Sequence, residues 1–139
     1  MTMPFSVEHI DHVVLRVKDL DKSVAFYQTV LGCAVVRVRE DLGMVHLRAG
    51  TAMIDLVSVD GALGRKGGAA PERSGQNVDH VCLRIEPFVE SDIISHLAGH
   101  GLAPSGELQV NFGAEGEGPS LYISDPDGNG IELKGPADA

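Results

Sequence analysis

The chain has 139 residues, the size of one domain or of two very small units that share a core. Its formal net charge is −9 and no run of Lys and Arg offsets it, which argues against duplex nucleic acid or an anionic membrane as a partner. No stretch approaches the roughly 20 apolar residues of a membrane span, and the N-terminus lacks a signal-peptide pattern. We therefore expect a cytoplasmic protein whose partner is a small molecule.

The two cysteines, Cys33 and Cys82, do not form a Cys-x-x-Cys pair. In a cytoplasmic protein we expect both thiols to be reduced and buried rather than joined in a disulfide. Trp is absent and aromatic residues are sparse, so the core must consist of Val, Ile, Leu and Ala, which favours strands.

The first predicted strand recurs later in the chain. Residues 10–17 read IDHVVLRV and residues 78–85 read VDHVCLRI, an offset of 68 residues at which five of eight positions are identical. Both segments are rich in β-branched residues, which predicts a strand in each place. A match of this quality at a fixed offset indicates two copies of one structural unit.

A helix is predicted after each of these strands, over residues 19–32 and residues 87–99, because apolar residues recur there at helical spacing. Asp19 or Asp21 can cap the first helix, and Gly32 suits its end. The predicted apolar faces are Leu20, Val24, Tyr27 and Leu31 in the first helix and Val89, Ile93 and Leu97 in the second.

Three short strands are predicted to complete each copy. They are residues 34–39, 44–48 and 52–57 in the first copy and residues 102–110, 120–124 and 130–134 in the second. Residues 125–129 form a strong turn signal between the last two strands. The Gly-rich segments 60–76 and 111–119 are predicted to be a linker and a loop.

This order predicts an α+β protein, a single domain with two βαβββ modules over residues 8–59 and 77–135. A four-stranded sheet of this kind is covered by its helix on one face, and its other face stays open unless a second unit meets it. We therefore expect the two modules to form a half-open, barrel-like cleft.

Histidines and carboxylates recur at matching places in the two modules. His12 and His80 lie in the first strands, and Asp55 and Glu132 lie in the last strands, each between an Ile and a Leu. Because side chains alternate along a strand, both carboxylates should face away from those apolar neighbours. A lone His or acid on a strand is ordinarily structural, but four in matched places favour a site for divalent Zn, Ni, Co, Mn or Fe.

The chain resembles the vicinal oxygen chelate superfamily, which groups glyoxalase I, bleomycin-resistance proteins, fosfomycin-resistance enzymes and extradiol dioxygenases. The matching stretches are residues 10–32, 78–85 and 120–135, including SDPDGN before IEL. The resemblance implies a metal held by the first-strand histidine and last-strand acid of each half, here His12, Asp55, His80 and Glu132. It also implies a homodimer, with the site in one chain or shared between two.

One position departs from the glyoxalase pattern, which has Glu where Asp55 stands. Asp is one methylene shorter, so its oxygens fall about 1.5 Å short. Asp55 then reaches the metal through water or leaves a position open. In the second case His12, His80 and Glu132 form the two-His-one-carboxylate set of non-haem Fe(II) oxygenases. Both alternatives stay open at this stage.

The resemblance implies three alternative functions. The first is a lyase or isomerase that acts on a small carbonyl or 2-oxoaldehyde-derived substrate through a metal-stabilised enediolate, with Glu132, sharing the task with Asp55, as the base. The second is an Fe(II)-dependent dioxygenase. The third is a non-enzymatic small-molecule binding or resistance protein, against which the histidines and acids argue, because the bleomycin binders lack them.

Four further residues are candidates for substrate binding. Arg16 and Arg84 share the parity of the strand histidines and suit an anionic substrate end. His46 on a middle strand and Tyr122 near the end of the chain are placed to line a cleft. The segments 60–76 and 111–119 are either lids over the site or plain connections.

Overall fold

The computed structural model describes residues 3–137 and divides the chain into two compact units, Met1–Ala70 (unit 1) and Pro71–Ala139 (unit 2). Each unit contains one four-stranded mixed sheet and one α-helix, so the predicted α+β class is confirmed. No helix within residues 3–137 is long and apolar enough to cross a membrane.

Unit 1 follows the predicted βαβββ order. Its elements are β1 (His12–Val17), α1 (Leu20–Thr29), β2 (Ala34–Arg39), β3 (Met44–Ala49) and β4 (Ala52–Ser58), with short 3₁₀ helices at Glu40–Leu42 and Gly64–Gly67. The strand order is β1-β4-β3-β2, and only β1 and β4 run parallel. The first and last strands of the unit are therefore neighbours.

The core of unit 1 lies between α1 and the strands β3 and β4. Leu47, Ile54 and Leu56 alternate with polar residues along these strands and are buried. The predicted helix cap is confirmed, since the Asp19 side chain accepts a hydrogen bond from the Lys22 N–H at 3.0 Å. Of the apolar face predicted for α1, Tyr27 is buried, whereas Leu20, Val24 and Leu31 are half-buried. The other buried residues in and next to this helix are Ser23, Phe26 and Val30.

Unit 2 repeats the topology of unit 1. Its elements are β5 (His80–Arg84), α2 (Glu90–Gly99), β6 (Gln109–Gly113), β7 (Gly116–Ser124) and β8 (Gly130–Lys134). The strand order is β5-β8-β7-β6, and β5 runs parallel to β8. Of the apolar face predicted for α2, Leu97 is buried whereas Val89 is exposed.

The predictions for residues 102–110 as a strand and 111–119 as a loop were wrong. These residues include the hairpin of β6 and β7, whose register pairs Phe112 with Glu117 and Gly113 with Gly116. The glycines suggested a loop but serve close packing, because a Cβ at Gly118 would lie 2.7 Å from the Pro136 carbonyl oxygen. Residues 109–113 and 116–119 are therefore part of the sheet.

The predicted linker, residues 60–76, is partly fastened to unit 1. Arg16 of β1 donates hydrogen bonds to the backbone carbonyls of Gly64 (2.8 Å), Gly68 (2.6 Å) and Ala69 (3.2 Å). A Cβ at Gly67 would meet the Arg16 side chain, so the glycine leaves room for this guanidinium.

The Asp125 side chain organises the turn that places β8. Its Oδ1 accepts the backbone N–H groups of Asp127 (2.9 Å) and Asn129 (2.8 Å), and its Oδ2 accepts the Asn129 side-chain amide at 2.8 Å. Since the carboxylate is buried, these donors lose their partner if it is removed.

We expect Asp125→Ala to lower the free energy of unfolding by about 1–3 kcal/mol, because the turn loses these hydrogen bonds. Urea unfolding followed by circular dichroism measures the change. The matched control is Asp60→Ala at an exposed position, with an expected change below about 0.5 kcal/mol. Equal effects of the two substitutions would show that the turn does not depend on Asp125.

Candidate metal centre and substrate cavity

Strand pairing in unit 1 brings three site residues to one face of the sheet. The parallel β1–β4 register pairs Val14 with Asp55, and the antiparallel β3–β4 register pairs Asp55 with His46. His12 lies two residues before Val14, so its side chain falls on the same face, diagonal to Asp55. Asp55 faces away from Ile54 and Leu56, as the alternation predicted.

Strand pairing in unit 2 gives an equivalent arrangement. Glu132 pairs with Cys82 of β5 on one side and with Tyr122 of β7 on the other, and His80 is diagonal to Glu132. Tyr122 thus holds the place beside Glu132 that His46 holds beside Asp55.

Each strand histidine is held by the aspartate before it. The distance from Nδ1 to the carboxylate is 2.7 Å both for His12 with Asp11 and for His80 with Asp79. A carboxylate on one ring nitrogen of a histidine orients the other nitrogen, which is the usual setting of a metal-binding imidazole. The hydrogen bond to Asp11, assisted by the charge of Asp55, raises the pKa of His12 despite some desolvation.

Asp55 has one oxygen whose hydrogen bonding is incomplete. The side chain belongs to a residue only 3% exposed, and its Oδ1 has no hydrogen-bond donor among the described residues. Nδ1 of His46 lies 3.1 Å from this oxygen, which is an ion-pair distance without hydrogen-bond geometry. Burying a carboxylate oxygen without a hydrogen-bond donor is unfavourable in free energy, and a bound cation would offset this cost.

Glu132, in contrast, is fully hydrogen-bonded. Ser120 (2.6 Å) and Asn111 (3.2 Å) donate to its Oε2, and Tyr122 donates to its Oε1 at 2.9 Å. Nε2 of His80 lies 3.0 Å from Oε1. Burial raises the pKa of this carboxyl, but the three hydrogen bonds and the charge of His80 outweigh it, so the pKa of Glu132 lies below its usual value.

The donor chemistry of both units suits a divalent metal, since each supplies an imidazole and a buried carboxylate. The unsatisfied Oδ1 of Asp55 is the structural observation that fits a cation. Within residues 3–137, no three His, Cys, Asp or Glu side chains form a group arranged to hold a metal ion. The predicted four-residue set therefore stays a proposal.

The two arginines predicted to bind an anionic substrate end are bonded within the chain. Arg16 is bonded to the backbone of residues 64–69, as described above. Arg84 donates to Glu115 at 2.6 Å and to Glu86 at 3.4 Å. Their role in substrate binding stays a prediction.

Each unit has a small cavity on the face that carries its candidate residues. The cavity in unit 1 has a volume of about 430 Å³ and is lined by Val14, Arg16, Met44, Val57, Leu63, Lys66 and Gly67. The cavity in unit 2 has a volume of about 310 Å³, and His80, Cys82 and Glu132 are among its lining residues.

The prediction that both thiols are buried was wrong for Cys82. Cys33 is buried, whereas Cys82 is exposed on the open side of β5, and both are free. Cys82 lies two residues after His80 in β5, so alternation puts both side chains on the same face of the strand. Desolvation by neighbouring groups and the negative charge of Glu132 raise the pKa of the Cys82 thiol to about 11.

Several polar residues at the site were missed by sequence reasoning. Asp11 and Asp79 were visible in the repeated Asp-His pair, which is the signal that would have identified them. Asn111 carried no such signal, because it lies in the segment that was predicted to be a loop. Ser120 begins a predicted strand, but no repeated motif marked it as a site residue.

The comparisons with known proteins agree with this architecture. The model of the glyoxalase/bleomycin resistance protein/dioxygenase superfamily matches residues 9–133, and the chain belongs to this superfamily. The solved structure of a virulence protein from Salmonella typhimurium has a TM-score of 0.76 at 27% identity, covering 96% of this chain and 100% of that chain.

Two curated relatives carry names of enzymes. The chain is 29% identical to a probable lactoylglutathione lyase of Vibrio cholerae, covering 92% of this chain and 91% of the relative. It is 28% identical to a catechol-2,3-dioxygenase of Bacillus subtilis, covering 96% of this chain. The chain spans 43% of the length of that dioxygenase.

Because the pKa of Cys82 is about 11, we expect slow alkylation by iodoacetamide at pH 8, where roughly one thiol in a thousand is ionised. The rate should rise about tenfold per pH unit up to the pKa. Glu132→Gln removes the negative charge that opposes ionisation and should increase the rate at pH 8 severalfold. Peptide mass spectrometry distinguishes Cys82 from Cys33.

The matched control is Glu107→Gln, which removes a charge at an exposed position of the same unit. If this variant accelerated alkylation as much as Glu132→Gln, local contact with Glu132 would not be the cause.

Proposed function

We propose that this protein is a metal-dependent enzyme of glyoxalase type, a lyase or isomerase that acts on a small carbonyl substrate. The observation that carries the proposal is the repeated pairing of an aspartate-held histidine with a buried carboxylate on the same sheet face. Membership of the superfamily and the likeness to a probable lactoylglutathione lyase support it.

The proposed ligands are His12, Asp55, His80 and Glu132. Asp11 and Asp79 hold the two imidazoles by Nδ1, so Nε2 is the nitrogen that each histidine would offer to the ion. Nε2 of His80 lies 3.0 Å from Oε1 of Glu132, and the ion would replace this contact. When bound, the metal would polarise a substrate carbonyl as a Lewis acid.

The two carboxylates suit different tasks. Glu132 has a lowered pKa and hydrogen bonds on both oxygens, which favours an ionised ligand over a proton acceptor. Oδ1 of Asp55 has no donor and lies 3.1 Å from His46, so Asp55 is the better placed of the two to take a proton. We propose that both contribute to catalysis, with Asp55 as the principal base.

A second candidate is an Fe(II)-dependent dioxygenase. The likeness to a catechol-2,3-dioxygenase favours it, and His12, His80 and Glu132 are the residue types of a two-His-one-carboxylate iron site. We propose for either function a cytoplasmic homodimer, which light scattering on the purified protein tests.

Protein purified without chelator should contain about one equivalent of a divalent transition metal per chain. His12→Ala and His80→Ala should each reduce this content below about a tenth of an equivalent, because a lost imidazole leaves too few donors. Inductively coupled plasma mass spectrometry gives the metal identity and stoichiometry.

The matched control removes an exposed histidine pair. His96 and His100 have ring centroids 5.0 Å apart on α2 and its C-terminal end, so they are the surface pair best placed to collect metal by chance. His96→Gln combined with His100→Gln should keep the metal. A parent protein with less than about a tenth of an equivalent would refute both enzyme proposals and leave the small-molecule binder.

The two enzyme proposals differ in metal and substrate. Nickel, zinc or cobalt together with turnover of a hemithioacetal would support the lyase, and iron with oxygen uptake on catechols would support the dioxygenase. For the lyase, Asp55→Asn should lower kcat at least about a hundredfold while the metal content stays above half an equivalent. Loss of the metal in this variant would leave Asp55 as a proposed ligand and refute its role as the principal base.

A further inference from the structure

Unit 2 contains a buried lysine that the proposed metal chemistry does not use. Lys134 is the last residue of β8 and is only 5% exposed. Its side chain passes two glycines of the β6–β7 hairpin. A Cβ at Gly113 would lie 3.0 Å from its Cε, and a Cβ at Gly118 would lie 3.1 Å from its Nζ. The glycines therefore make the space in which the chain of Lys134 lies.

The ammonium group of Lys134 has little compensation. Nζ donates one hydrogen bond, 2.9 Å long, to the carbonyl oxygen of Gly116. Among the described residues no carboxylate forms an ion pair with it. An ammonium has three N–H donors, and a buried charge with one neutral acceptor is unfavourable unless an anion joins it.

The cavity beside this ammonium has the size and lining of a small-ligand site. Its volume is about 310 Å³, at the lower end of the range for ligand pockets. Phe112 lines it and is 82% exposed, so its ring offers an apolar surface to a ligand. His80 and Glu132 line the same cavity.

Arg84, the other cation of the lining, is already neutralised. It donates to Glu115 and Glu86, whereas Lys134 has no acidic partner in residues 3–137. The negative charge of Glu132 in the same cavity disfavours a dianion. The ligand that fits these charges has one negative charge and a flat apolar group.

We propose that the unit 2 cavity binds a small aromatic monocarboxylate, with Lys134 binding the carboxylate and Phe112 packing on the apolar group. If the proposed function is correct, such an acid is the substrate class of this site, and in that respect the inference rests on the proposed function. Binding itself requires no metal, which separates the two tests.

The test uses metal-free protein, prepared with chelator and then dialysed, and isothermal titration with benzoate and with the neutral isostere benzamide. Benzoate should bind at least about tenfold more tightly than benzamide. Lys134→Met keeps the length and packing of the side chain and should weaken benzoate at least about tenfold without changing benzamide. Phe112→Ala, at an exposed position, should weaken both probes severalfold.

Lys66→Met is the matched control, because it makes the same change of net charge at the unit 1 cavity. It should leave both affinities unchanged. Equal affinity of the parent for benzoate and benzamide would overturn the proposal without any variant, as would full benzoate affinity in folded Lys134→Met. If the parent protein contains no metal but binds benzoate through Lys134, the proposed function is wrong and the binding inference stands.

Discussion

The parallel pairing of the first and last strands in each unit is the constraint on which the candidate site depends. It sets His12 diagonal to Asp55 and His80 diagonal to Glu132, on the sheet face opposite the buried Ile and Leu neighbours of the acids. In each unit, two strands that are distant in sequence thus supply one imidazole and one carboxylate to neighbouring positions on the same sheet face. Without this register the histidines would be isolated strand residues.

The repeat equips the two carboxylates differently. The third strand of each unit contributes His46 beside Asp55 and Tyr122 beside Glu132. Ser120 and Asn111 add donors to Glu132, so its charge is stabilised within the protein, while Asp55 keeps an oxygen without a donor. The same strand topology therefore places a carboxylate with a stabilised negative charge in unit 2 and a carboxylate with one oxygen free to accept a hydrogen bond or a cation in unit 1.

Local charges in the unit 2 cavity differ from the charge of the whole chain. A chain with a net charge of −9 repels anions on average, so anion binding needs a local cation shielded from that field. Arg84 is neutralised by two glutamates, but Lys134 reaches the cavity through space left by two glycines. The hairpin that was mistaken for a loop is what buries this lysine.

The sequence by itself determined the repeat, the α+β order, most strand bounds and the parity that puts His12, Asp55, His80 and Glu132 on predictable faces. It succeeded because alternation along a strand is a local property. The tertiary structure alone decided which strands are neighbours, and hence the partners of Glu132, the exposure of Cys82 and the burial of Lys134. Glycine caused the main error, the prediction of residues 111–119 as a loop. A glycine in a sequence is compatible both with a turn and with close packing of a strand. Only the neighbouring chain, which passes close to Gly113 and Gly118, distinguishes the two.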